Sequence, residues 1–468
     1  MTAENIAFQT NTNKYRFIGT AQLINAYAEK IGEDGKGPLA VMPSDGLVEF
    51  CENGLTPCRG FLYMEDLEKL YAVHASSIYR VTMENGAAVS VRIGTIPGVD
   101  PVQMSRNQKP SPQIVVRCDA GLLLVESDSV SFILDDDLPD GVVTAENSSG
   151  YTLYGLPDRR FFLSALNNSK QIGALDFATF EQRAGKLVRI EEHAGEVIGL
   201  CSTWMEFWRN IDDPDFPFAP IGFRSRGLMA ANAVVRCDNT IMFPGDDGII
   251  YRLNNYDPAR ISTHHVEGLI KEEQNQAGLS GFGWSRGGHS FACYSGTDWT
   301  RCYDAATGVW HSRETYAQPR WRANYSVQAF GKTIVGDRLS GKLFTLDSDT
   351  FTEDGGTMVW GVDSPPLHAF PNGGIVNAVH FDLATGYGTL SGQGSDPKVM
   401  LWTSKDGGNT WDQYRELELG QRGQHRVRVT ARRLGKFGPK GIVFRLRISD
   451  PVVRALVGTD VDVTPLKL

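Results

Sequence analysis

The stretch Cys201 to Gly227, CSTWMEFWRNIDDPDFPFAPIGFRSRG, crowds reactive residue types together. Glu206, Trp204 and Trp208 close a strand-like run. Asp212, Asp213 and Asp215 follow, then Phe216, Pro217 and Phe218. No catalytic signature has this form. The residue types predict architecture instead. The aromatic rings pack where a strand leaves its sheet, and the aspartates cap an exposed turn stiffened by Pro214 and Pro217. GWSRG, Gly283 to Gly287, fits the spacing of a nucleophile elbow, which requires a helix after the serine. HSFACYS follows and reads as a strand, so Ser285 is predicted in a glycine-rich hairpin turn. DDDLPD, Asp135 to Asp140, lacks the ligand spacing and terminal glutamate of a calcium loop and reads as a solvated acidic turn. His264 and His265 are adjacent and, in a strand, would face opposite ways. There is no phosphate-binding loop, zinc-protease motif or dinucleotide fingerprint. The seven cysteines include no CxxC pair and are predicted to be reduced, buried thiols. No metal, cofactor or catalytic residue is expected.

SKDGGNTW, Ser404 to Trp411, resembles the Asp-box turn of sialidases and many propellers. Asp406 can accept bonds from turn amides, Gly407 and Gly408 permit positive φ, and Trp411 can pack beneath the turn. A glycosidase would also need a tyrosine nucleophile with its carboxylate and an arginine cluster, and the sequence does not group these types. From Leu419 to Ser449 there are nine Lys and Arg, and no acid. Arg422, Arg426, Arg428, Arg432, Arg433 and Lys436 form the candidate assembly interface, suited to an acidic partner such as the body of a neighbouring copy. The alternatives are a solvated strand face and nucleic-acid contact. The latter ordinarily interleaves bases with exposed aromatics, and only Phe437 is near.

The elements that must position these groups are strands. Two-strand runs start at Lys69, Gly121, Arg160, Glu196, Thr240, His289 and Lys332. Their spacing of about 36 to 52 residues suits one four-stranded propeller blade each. The fold class is all-β: a β-propeller of six or seven blades over residues 1–364, a linker 365–374, and an antiparallel sandwich-like domain 375–468. A pair of β-sandwiches is the alternative. The N-terminus lacks the apolar core of a signal peptide, and no run reaches a membrane span, so a soluble protein is expected. Net charge is −9, divided into +5 from Ile375 onward and −14 before it.

EFWRNIDDPDFPFAPIG and NTIMFPGDDGIIYRLNNYDPARISTHHVE resemble the packaged-DNA stabilisation, or tail-nozzle, proteins of short-tailed bacteriophages. INAYAE, MPSDGLVEF and CRGFLYMEDLEKLYAV resemble that family's opening, with PSDGL where a stricter PGL is usual, and ARRLGKFGPKGIVFRLRISDPV resembles its close. The resemblance implies a non-enzymatic virion component assembled in the host cytoplasm. It implies a hexameric ring below the portal adaptor, extending the channel for duplex DNA and retaining the genome. Tailspikes or tail fibres would attach around it, and a needle or plug would close its tip. The competing reading is a propeller glycan-binding protein or glycosidase. Perturbed carboxylates and arginines at the propeller mouth would favour that reading; an apolar or charge-complementary lateral surface would favour the phage reading.

Overall fold

The computed structural model describes residues 3–4, 9–12, 19–32, 36–54 and 57–466. The stretch read as lacking a signal-peptide core lies mostly outside them. Seven four-stranded antiparallel sheets follow one another along the chain. Blade I spans 58–95, blade II 103–132, blade III 144–179, blade IV 187–224, blade V 235–260 and blade VI 280–312. Blade VII takes three strands from 323–347 and its outermost strand, Gly46–Glu52, from near the N-terminus. The seven predicted hairpins fall one to a blade, which settles the count at seven.

Side-chain alternation builds the ring. In blade II, Ile114 and Val116 point into a core shared with blade I, while Val115 points into a core shared with blade III. Leu123 and Val125 repeat the first choice, Leu122 and Leu124 the second. Both faces of these two middle strands are therefore apolar, and the blade is glued to two neighbours. Seven such clusters run around the circle, ending with Leu70, Ala72 and Val81 of blade I against Ile334 and Leu343 of blade VII.

The sandwich is built from both ends of the chain. One sheet orders Ala26–Lys30, Leu39–Pro43, Leu456–Pro465, Gly374–Leu383 and Val429–Phe437. In the other, Gln22–Ile24 pairs with Trp360–Asp363 on one side and with Val309–Ser312, the outer strand of blade VI, on the other. Blade VI and the sandwich thus share one continuous sheet. Leu23, Ala26 and Val41 lie in the sandwich core beside Val379, Phe444 and Leu446. The sheet pairing crosses the boundaries drawn from sequence, because an edge strand of blade VI and the free edge at Trp360–Asp363 both need a partner.

Asn25 stands at the crossing. It is buried with φ 49°. Its amide donates to the carbonyls of Glu314 and Val359, each at 2.9 Å, and accepts from the Glu314 N–H at 3.0 Å. Its N–H donates to Ser312 O at 2.9 Å and its carbonyl accepts from Ser44 N at 3.0 Å. Nearby, His289 joins Asp304 of its own blade to Glu29 of the sandwich, at 2.8 Å on each ring nitrogen.

One nine-residue α-helix, His264–Glu272, lies between blades V and VI. This corrects the strand expected at His264 and His265: they open the helix, where Val266 and Ile270 turn inward at helical spacing. His264 is exposed and meets Glu267, whereas His265 faces Thr12 and Arg301.

Asn25→Ala strips three side-chain hydrogen bonds from buried backbone groups and is expected to lower stability by roughly 2–4 kcal/mol. An unfolding midpoint equal to wild type in denaturant titration would show that the junction does not depend on this side chain.

Candidate functional site

The propeller axis is concave. The innermost strands of all seven blades line a cavity of about 540 Å³. Four charged side chains meet in it, from blades III, IV and V. Glu191 accepts from Arg189 Nε at 2.7 Å and from Arg236 Nε at 2.6 Å. Arg236 also lies 3.7 Å from Glu146, whose other oxygen accepts from Gln103 at 3.0 Å. Arg189 donates onward to the Ala231 carbonyl at 3.0 Å. Burial pushes the Glu146 carboxyl up to about 7, with Arg236 pulling it back and Glu191 adding to the rise. Burial would also raise Glu191, but Arg189 and Arg236 hold it below the usual range. The cluster is thus one fixed anion, one carboxyl that protonates near neutrality, and two cations. Tyr325 reaches the same cavity from blade VII, at a bulge with φ 61°.

Sequence reasoning missed this cluster. Its members come from different blades, and only the charges inside the apolar strand Leu187–His193 hinted at it. A glycosidase of sialidase type needs a tyrosine backed by a carboxylate. Among the described residues such hydrogen bonds are Tyr71–Asp128, Tyr251–Asp247 and Tyr256–Glu196, none of them on the axis. The groups of the channel mostly satisfy one another.

The opening stretch lies in blade IV. Trp204, Trp208 and Phe218 are buried between blades III and IV, with Phe216 packed at the edge. Phe161 meets Trp208 edge-on at 5.2 Å. Trp204 Nε1 donates to Ala184 O at 3.2 Å. Asp212, Asp213 and Asp215 are exposed in the turn. Asp213 accepts from Asp215 N at 2.9 Å, Asp212 takes φ 54°, and Pro217 O accepts from Ile211 N at 2.8 Å. Glu206 is buried, and burial lifts it to about 7 against the pull of the Glu181 and Gln182 N–H groups. In the segment 256–267, Glu267 accepts from Arg260 and from Ser262, each at 2.8 Å, and so fastens the strand to the start of the helix.

The Asp-box sits in the sandwich, between Lys398–Ser404 and Arg415–Glu418. Asp406 accepts from Asn409 N at 2.9 Å, Thr410 N at 3.0 Å and Thr410 Oγ1 at 2.7 Å. These bonds, the Thr410 N–H first, hold its carboxyl well below the usual range. Ser404 Oγ accepts from Gly408 N at 2.8 Å. Trp411 stacks on the guanidinium of Arg445, 3.7 Å from the ring centre, and Asp363 grips Arg445 at 2.8 Å. Both oxygens of Asp406 are spent on the turn. Ser285 lies near the end of strand Ser280–Arg286, and strand His289–Ser295 follows, so the elbow geometry is absent.

Arg422, Arg426, Arg428, Arg432, Arg433 and Lys436 are all exposed. Among the described residues none has a carboxylate within 4.0 Å, although Arg445 and Arg447 of the same segment both bind Asp363. Arg432, Arg433 and Lys436 run along Val429–Phe437, an edge strand of its sheet. No group of residues in the described part of the chain could hold a metal ion.

The chain is thus a seven-bladed propeller with ion pairs across its polar axis, fused to a sandwich that carries exposed cations without carboxylate partners among the described residues. Two family models match the chain: bacteriophage P22 Gp10, beta-propeller, over residues 24–351, and bacteriophage P22 Gp10, beta-sandwich, over residues 359–464. The chain belongs to the bacteriophage P22 Gp10 family and is a phage structural protein of the virion. Comparison with curated protein sequences gave no match. Three solved structures are similar over the propeller. The computationally designed Ika8 protein is 9% identical, covers 65% of this chain and 99% of its own, at a TM-score of 0.39. YCF48 bound to D1 peptide is 9% identical, with 65% and 97% coverage and a TM-score of 0.39. BamB from Moraxella catarrhalis is 10% identical, with 69% and 97% coverage and a TM-score of 0.40. At these scores they carry no argument here.

Two predictions concern these groups. Trp208→Ala empties a buried ring site and is expected to cost roughly 3–5 kcal/mol; a near-zero shift in the unfolding midpoint would mark the indole as dispensable to packing. The Glu146 carboxyl is raised in the folded chain above its ordinary 4.5, so its ionisation costs stability increasingly as pH rises from about 4.5 through 7. Glu146→Gln should therefore gain melting temperature relative to wild type between pH 5 and pH 8. A difference that stays flat across that range would contradict the assigned shift.

Proposed function

We propose that this chain is the subunit of a phage tail nozzle: six copies form a ring below the portal adaptor, extend the DNA channel and hold the packaged genome until ejection. Tailspikes or fibres attach around the ring, a needle or plug closes its tip, and assembly takes place in the host cytoplasm. The observation that carries the reading is the split between paired and unpaired charge. Many cations of the propeller, among them Arg189, Arg236, Arg260 and Arg322, pair with carboxylates of the same fold, while the sandwich presents a strip of exposed arginines with no such partner among the described residues.

DNA would pass beside the propellers, not through one. The axial cavity holds about 540 Å³ and is bridged by ion pairs, whereas the major groove of a duplex alone is about 12 Å wide. A ring of subunits with net negative bodies presents few counterion-releasing contacts, so the duplex slides. Screening confines that repulsion to about 8 Å at physiological salt, which leaves it to residues on the channel wall.

The axial Glu146, Arg189, Glu191 and Arg236 favour a second reading, a propeller that binds a polar ligand such as a glycan. Against it, Glu191 already occupies both arginines.

Deleting the gene from its phage and imaging the particles tests the nozzle. Filled heads that empty, with tails cut short below the adaptor, are expected; full, stable heads on intact tails would remove the role. Reversing Arg432 and Arg433 to Glu should lower the yield of complete tails without moving the melting temperature, and an unchanged yield would release these two residues from docking.

A further inference from the structure

Blades II and III carry an outer edge unlike the rest of the propeller. Leu134 is 87% exposed and Leu175 86%, with Phe132 and Phe177 also open to solvent. Asp136, Asp137, Asp140 and Asp176 surround them, exposed and without a cation within 4.0 Å among the described residues. The acidic loop is not loose. Asp135 accepts from Ile172 N at 3.1 Å and from Asp137 N at 2.9 Å, which fixes the loop against strand Asn168–Thr179. Phe162 stacks beneath Phe177 at 5.1 Å. Apolar side chains ringed by unpaired acids on a braced surface are the composition of an interface centre and its rim.

The sandwich holds the complement. Loops 384–397 and 419–428 are laced together: Gly423 N donates to Gly386 O at 2.9 Å, and Gly386 N to Leu419 O at 3.0 Å. Tyr387 and His425 meet edge-on at 5.3 Å. At this tip Leu390 is 82% exposed, beside exposed Tyr387, Arg422 and Arg426. The adjoining hollow includes Arg428, Asp460 and the Lys36–Asp382 pair. The arginines along the edge strand also protect that edge from strand addition. The tip is not an edge strand, and edge protection would not leave a bare leucine and tyrosine.

The sandwich is rooted far around the ring from blade III. The sandwich joins the propeller at blades VI and VII. Blade III is three blades from VI through V and IV, and three from VII through I and II. Complementary patches at different places on one subunit make a head-to-tail contact, which closes into a ring if the rotation allows.

We propose that the sandwich tip of one copy, Tyr387, Leu390, Arg422 and Arg426, docks on the edge of blades II and III of a second copy, at Leu134, Asp136, Asp137 and Leu175. This deepens the ring-forming part of the nozzle reading by naming its two surfaces.

Sedimentation velocity of the full-length chain at high concentration and low salt tests it. Wild type is expected to self-associate, about tenfold more weakly or worse once salt screens the contact. R422E/R426E and D136K/D137K should each abolish association while keeping the circular dichroism and melting of wild type. In an equimolar mixture every tip meets an edge of opposite charge on the other variant, so association should return with the two variants alternating. A chain carrying all four changes should associate again.

A monomeric wild type overturns the proposal. So does association that survives both reversals, an outcome that keeps a ring but discards these surfaces and leaves the nozzle test above untouched. Binding of a labelled DNA duplex by wild type that the arginine changes remove, without self-association, would overturn it in favour of a phosphate contact.

Discussion

The fold depends on one constraint: a propeller made from a single chain must close its ring, and here the closing strand arrives from the wrong end. Gly46–Glu52 pairs with Lys342–Asp347 across almost three hundred residues of sequence. Before it reaches that position, the same segment has supplied three strands to the sandwich. Asn25 is the pivot, since its amide binds the chain leaving blade VI and the chain leaving blade VII at once. The two domains are therefore not beads on a linker. Neither the ring nor the sandwich is complete until residues 22–52 are in place, and loop closure on this scale costs entropy before any contact repays it.

The same junction gathers buried charge. Arg454 donates to the carbonyls of Phe351, Met358 and Ile448, and Arg313 donates to Asp45 O while its guanidinium lies 3.9 Å from the Trp321 ring centre. His289 is raised; burial would lower it, but Asp304 and Glu29 prevail. A histidine raised in this way stabilises the folded state below its ordinary 6.5, and that contribution fades as pH climbs through the folded value. The bridge between blade VI and Ala26–Lys30 thus weakens toward alkaline pH, opposite in origin to Glu146 but in the same direction.

Much of this was legible. Two-residue alternation and hairpins at regular spacing gave blades, because a propeller repeats one local solution and each copy carries its own signal. The buried Trp208 and the self-contained turn at Asp406 were readable for the same reason: both are local. What could not be read was non-local. Nothing in LVRIEEH says that Glu191 will meet Arg236, since residues forty-five apart are brought together only when blade V packs beside blade IV. The adjacency of His264 and His265 gave no hint of helix, because the run His264–Glu272 is short and its packing face has only Val266 and Ile270 fully inside. The pairing of Gln22–Ile24 with blade VI was equally hidden, three residues being too few to carry a pattern.

The axial cluster makes most sense as part of closure. Seven blades leave a hole at the axis that apolar side chains from seven directions fill poorly, and unpaired backbone there would be costly. Interlocked Arg189, Glu191, Arg236 and Glu146 occupy the space and tie blades III, IV and V to one another, and Arg189 reaches the Ala231 carbonyl as well. Replacing Glu191 by a small residue would leave both guanidinium groups without their nearest carboxylate, so that anion is costly to lose. Both arginines of the axis are held by Glu191, although a cavity of about 540 Å³ remains there. The unmatched charges and bare leucines lie away from the axis, which is where the proposed docking of one copy on another would need them.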